Sequence, residues 1–111
     1  MFDPIIALNG HIALLTIIET AKQDLPRMKG LQLLALKGLG RMTTLELEKS
    51  KAKMKLNKMW VQEVPLGERR YRYVLNGIGN GYEISQADLD LHLGMTMGEF
   101  ERQLERNGNS D

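Results

Sequence analysis

The chain has 111 residues and a net charge of +1, with 42% hydrophobic and 26% charged residues. That length suits one domain, able to bury a core without staples. The absence of cysteine excludes a disulfide framework, a thiolate zinc site and a thiol nucleophile.

The charge is unevenly spread. Residues 1–40 carry +1, residues 41–82 carry +5 and residues 83–111 carry −5, so a basic middle is followed by an acidic tail. The longest apolar stretch, Ile5 to Ile18, is broken by Asn9, Gly10, His11 and Thr16. It reads as too short and too polar for a membrane span, and it lacks the basic start and cleavage site of a signal peptide. A soluble cytoplasmic protein is expected.

Asp3-Pro4 is an N-cap with proline in the first helical position, which predicts a helix running to about Lys22. Ile5, Leu8, Ile12, Leu15 and Ile18, with their apolar neighbours, leave this helix almost no polar face. Such a helix needs burial on most sides. Either it is an ordinary core helix, or these five residues pair it with a second copy across a two-fold axis. The dimer is the favoured expectation.

Asp24-Leu25-Pro26 predicts a second helix, carrying Met28, Leu31, Leu34 and Ala35 at helical spacing and stopping at Gly38 or Gly40. Thr43 or Thr44 then caps a third, with Glu46 and Glu48 in its first turn. In that helix Leu45, Ala52, Leu56 and Met59 form one apolar stripe, expected to face the domain, flanked on both sides by Lys49, Lys51, Lys53, Lys55 and Lys58. The lysines are either a solvated face or a phosphate-contacting one.

Trp60–Val64 and Arg70–Leu75 are aromatic and β-branched runs joined by Pro65-Leu66-Gly67-Glu68-Arg69, a β-hairpin with a five-residue loop. Alternation puts Arg70 and Arg72 on one face and Tyr71, Tyr73 and Leu75 on the other. Residues 77–82, rich in glycine, read as a flexible linker; Tyr82 stands where a dinucleotide fingerprint needs its last glycine. In residues 83–107, Ser85-x-x-Asp88 and Thr96-x-x-Glu99 look like two helix caps around Gly94. That spacing resembles a helix-turn-helix, but its second helix would present Glu99, Glu101 and Glu105 to phosphate.

The run Leu-Asn-Lys-Met-Trp-Val-Gln-Glu-Val from Leu56, followed by Gly-Glu-Arg-Arg-Tyr-Arg-Tyr-Val-Leu-Asn from Gly67, resembles the end of the recognition helix and the wing of MarR- and PadR-type winged-helix transcriptional regulators. Upstream, Leu31-Gln-Leu-Leu-Ala-Leu and Thr43-Thr44-Leu45-Glu46-Leu47 resemble the family's lead helix and the start of its helix-turn-helix. The resemblance spans about residues 25–77. It implies a winged-helix-like unit over residues 25–76; with the readings above, the expected fold is mainly α with one β-hairpin, residues 1–23 dimerising and residues 83–107 forming an acidic helical hairpin. Thr44 to Met59 offers 16 positions where two helices and a turn need about twenty; the first helix of the unit is therefore vestigial, or the two are fused.

The expected function is a homodimeric DNA-binding regulator. Lys49, Lys51, Lys53, Lys55 and Lys58, with the wing arginines Arg69, Arg70 and Arg72, would contact phosphate. The alternative is a protein-binding regulator that keeps the winged-helix shape without binding DNA, docking another regulatory protein through the acidic hairpin. No cofactor, metal or enzymatic activity is expected. His11 and His92 stand apart in the sequence, and Asp88, Asp90 and His92, two apart on a helix, point about 200° from one another.

Overall fold

The computed structural model describes residues 1–108. The fold is mainly helical with one small antiparallel sheet. Helix α1 spans Pro4–Asp24, α2 Leu31–Leu56 and α3 Gln86–Gly108, with strands β1 (Met59–Val61), β2 (Arg70–Leu75) and β3 (Ile78–Glu83) between the last two helices. The Asp3 carboxylate accepts from the amides of Ile5 and Ile6, as an N-cap should. One turn of 3-10 helix, Leu25–Arg27, then leads into α2.

Three expectations are corrected. The second and third helices are one: α2 runs through Gly38 and Gly40 without a break. Thr43 and Thr44 are not caps, because their hydroxyls donate back to the carbonyls of Leu39 and Gly40 inside the helix. Residues 44–56 therefore lie in one continuous helix with no turn inside it. The glycine-rich segment is not a linker but the third strand, β3, paired with β2 from Arg70↔Glu83 to Leu75↔Ile78. Its two-residue turn is Asn76-Gly77, with φ of 52° and 82°, and Asn-Gly favours the primed turns that match strand twist. Finally, the acidic hairpin is a single helix. Ser85 does cap α3, accepting from the Asp88 amide, but Thr96 lies in mid-helix and Gly94 makes no turn.

α1 is the centre of the fold. On one side Leu8, Ile12 and Ala13 meet Met54, Met59, Val61, Tyr71, Ile84 and Leu89. On the other, Leu14 and Ile17 meet Leu47 and Phe100. This explains why the helix is apolar nearly all round: α2, α3 and the sheet surround it within one chain. Its polar residues are paired in place, Asn9 Oδ1 accepting from the Tyr82 hydroxyl at 2.6 Å and the Thr16 hydroxyl donating to the Ile12 carbonyl. Contrary to the expectation from interruptions, Pro4–Arg27 is long enough and, at a mean hydropathy of 1.4, apolar enough to cross a membrane by composition alone. Here it packs at the core between α2, α3 and the sheet.

The proposed pairing face is corrected with it. Leu8 and Ile12 are fully buried in the chain's own core, and Leu15 and Ile18 are half-buried against it. Ile5 alone of the five is exposed. Three of the four residues of the stripe expected to face the domain do the reverse: Leu45, Ala52 and Leu56 point to solvent, while Thr43, Leu47 and Met54 face the core; the fourth, Met59, lies in β1 and is buried.

Candidate nucleic-acid interface

The eight basic residues expected to meet phosphate separate into two groups. Lys49 pairs with Glu46 at 3.2 Å. Lys51 is held by Glu63, two residues beyond β1, with Glu48 also 3.9 Å away. Their hydrogen bond raises the Lys51 ammonium above its usual pKa and lowers the Glu63 carboxyl. Arg70 lies 3.7 Å from Glu83 across the β2–β3 register. Arg69 is half-buried with φ of 59° and donates through Nη1 to the Ile84 carbonyl at 3.4 Å. It anchors the start of β2 to the start of α3 and offers little charge to solvent.

Lys53, Lys55, Lys58 and Arg72 are all exposed, and no salt bridge involves them among the described residues. Lys55 lines a groove of about 380 Å³ between α2 and β1, shared with Trp60 and the Lys51–Glu63 pair. Lys58, with φ of 56°, ends the α2–β1 connection, and its carbonyl accepts from the Asn76 amide, which sets it beside the β2–β3 turn. Trp60 is 57% exposed. It pairs with Val74 on the face of the sheet that also carries Arg72, opposite the buried Met59, Val61 and Tyr71. The Arg72 guanidinium lies over Gly79, where an added Cβ would stand 3.4 Å from Nη2. The outer face of the sheet is thus flat along β3, where the Arg72 guanidinium lies, while Trp60 stands on the same face of β1 with Lys55 beside it. Lys53 lies apart from them, on the flank of α2 that faces α3.

Trp60 was not among the expected site residues. Its signal was present in the alternation of Met59-Trp60-Val61, which puts it opposite two core residues.

The two histidines, distant in sequence, line the same cleft of about 440 Å³ between the three helices, with Glu46, Ser50, Lys53 and Glu99. His11 Nδ1 and Ser50 Oγ are hydrogen-bonded at 2.8 Å. Burial, helped by the nearby Lys51 charge and opposed by Glu63, lowers the His11 pKa to about 4, so the ring is neutral near pH 7. No carboxylate is hydrogen-bonded to His11 among the described residues, and no group of three or more metal-ligating side chains comes together among them.

Comparison with known protein families, with curated proteins and with solved structures finds no match for this chain.

Proposed function

We propose that the protein is a homodimeric, DNA-binding regulator of the cytoplasm that holds nucleic acid mainly through phosphate. The observation that carries this reading is the division of the basic residues: Lys55, Lys58 and Arg72 are exposed without internal counter-charges, Lys55 beside the exposed Trp60 and Arg72 on the same face of the sheet as that ring. Released counterions supply most of the affinity at such a surface, and an exposed ring beside it gives an unpaired base something to stack on. The continuous α2 leaves no separate recognition helix, so base reading in the major groove is not part of the proposal.

The triple variant Lys55→Ala, Lys58→Ala, Arg72→Ala tests it by fluorescence anisotropy on random duplex DNA. Each phosphate contact contributes about 0.9 to the slope of log K against log salt, so the slope should fall by about 2.7, with all sequences weakened alike. Lys49→Ala, whose charge is already paired, should change little. Unaltered affinity in the triple variant would remove the assignment.

A second reading is favoured by one observation. The uninterrupted α2 presents exposed leucines where a winged-helix protein would place its DNA-reading turn, which suits a regulator that binds protein. No binding to duplex even at about 50 mM salt, where electrostatic association is strong, selects that reading.

A further inference from the structure

α2 has two apolar faces, and the fold uses one of them. The face opposite Thr43, Leu47 and Met54 carries Leu31, Leu34, Leu45 and Leu56, which are 84%, 62%, 63% and 86% exposed. At about 100° per residue, these four with Gly38 and Ala52 fall within about 40° of one line through Leu45, along a helix roughly 39 Å long. Arg41 and Lys49, four positions either side of Leu45, border the row at about the same 40°, and monomeric proteins rarely leave such a row of exposed leucines to water.

The order of residues along the strip is a palindrome. Counting from Leu45, the small residues Gly38 and Ala52 stand seven positions before and after, and Leu34 and Leu56 stand eleven before and after. An added Cβ at Gly38 would meet nothing within 4 Å, so no contact inside the chain calls for glycine there, although glycine is a poor helix former. Self-complementary order is what an isologous two-fold contact requires.

We propose that this strip is a homodimer interface, in which α2 packs antiparallel against α2 of a second copy with Leu45 on the two-fold axis. Leu34 then lies level with the partner's Leu56, and Gly38 with the partner's Ala52, the small pair letting the backbones approach. The charges nearest the axis agree with this arrangement, while further out Lys37 lies near the partner's Lys55. Arg41 and Glu48 lie on the same flank of the strip, four positions before and three after Leu45. Two-fold pairing therefore sets each Arg41 beside the partner's Glu48, twice over. A parallel pairing would give no such cross-pair and would set Lys49 and Arg41 level with their own copies.

The strip alone, roughly 39 Å by 10 Å at helix dimensions or about 390 Å², is smaller than the roughly 800 Å² per partner of a standard interface. Beside Leu45 it continues into a groove of about 630 Å³ lined by Ile18, Ala21, Leu25 and Leu36, with Lys22, Lys37 and Arg41 also along it. That groove brings Ile18 of α1 to the same interface. The inference supplies the partner surface for the dimer of the proposed function, and rests on that reading for the dimer alone, not for nucleic acid.

Because the chain has no cysteine, single cysteines report the geometry directly. Under mild oxidation Leu45→Cys should cross-link to itself, since a disulfide needs Cα atoms within about 7 Å. Leu31→Cys, at the far ends of the antiparallel pair, should not. Light scattering on the unmutated protein should give a dimer. Leu45→Glu should raise its dissociation constant roughly 100-fold or more with an unchanged circular dichroism spectrum, because Leu45 touches solvent in the folded chain. Arg41→Glu should weaken the dimer and the double variant Arg41→Glu, Glu48→Arg should restore it. A monomeric unmutated protein, a dimer indifferent to Leu45→Glu, or self-linking of Leu31→Cys would each overturn the proposal. DNA affinity is read separately on the same samples, so a protein that dimerises as stated but ignores DNA refutes only the phosphate assignment.

Discussion

His11 shows how one side chain in the core couples the fold to pH. Its ring is buried beside Ser50, with the Lys51–Glu63 pair nearby, and burial lowers its pKa from 6.5 to about 4. The unfolded chain therefore binds a proton between those values that the folded chain refuses. By linkage, this group's contribution to stability is complete above pH 6.5 and is lost as the pH falls towards 4. A shift of that size corresponds to about 3 kcal/mol at most. Urea denaturation at steps between pH 7 and pH 4 should show the decline, and His11→Gln should flatten it relative to the unmutated protein. The glutamine variant loses the ring's contact with Ser50, so its stability at pH 7 should also be lower. The informative quantity is the slope, and an equal slope in both proteins would place the proton elsewhere.

At the scale of elements, the sheet depends on one turn. Asn76-Gly77 reverses β2 into β3 with positive φ at both positions, where asparagine is tolerated and glycine pays no steric cost. Gly77→Ala should cost about 1–2 kcal/mol, seen as a lower thermal midpoint, whereas Gly81→Ala, with φ in the ordinary range and nothing within 4 Å of an added Cβ, should cost less. This turn also shows what the sequence made legible. The caps at Asp3 and Ser85, the Arg70–Leu75 strand and its alternation were readable because each is a local rule with a local cause. Gly38, Gly40 and Gly94 misled because glycine within a helix costs only about 1 kcal/mol against alanine, which packing of α2 and α3 on α1 offsets. The Asn-Gly pair was an available signal, obscured by glycines that make β3 look like a linker. The site was less legible than the fold. That Lys51 is neutralised by Glu63, and that Arg69 turns inward to Ile84, depends on tertiary placement that no charge count along the chain contains.

For the molecule as a whole, everything converges on α1. It touches both clusters of the core, and α2 and α3 each pack on it, so the three helices and the sheet share one support. Three uses for such an apolar helix make different demands on Ile12: a dimer face would expose it to a partner, a membrane span would expose it to lipid, and a core helix encloses it in its own chain. Ile12 is 1% exposed, between the sheet and the other helices. Ile12→Glu should therefore bury a charge with no partner, a cost of several kcal/mol. That is comparable to the whole stability of a domain this size. The expected outcome is loss of the cooperative thermal transition and of near-ultraviolet circular dichroism, not a folded monomer. Ile6→Glu, on the same helix but 60% exposed, should leave both intact. The pair separates the three uses. A folded, monomeric Ile12→Glu protein would mean that α1 was an interface after all, and aggregation of both variants unless detergent is present would point to lipid.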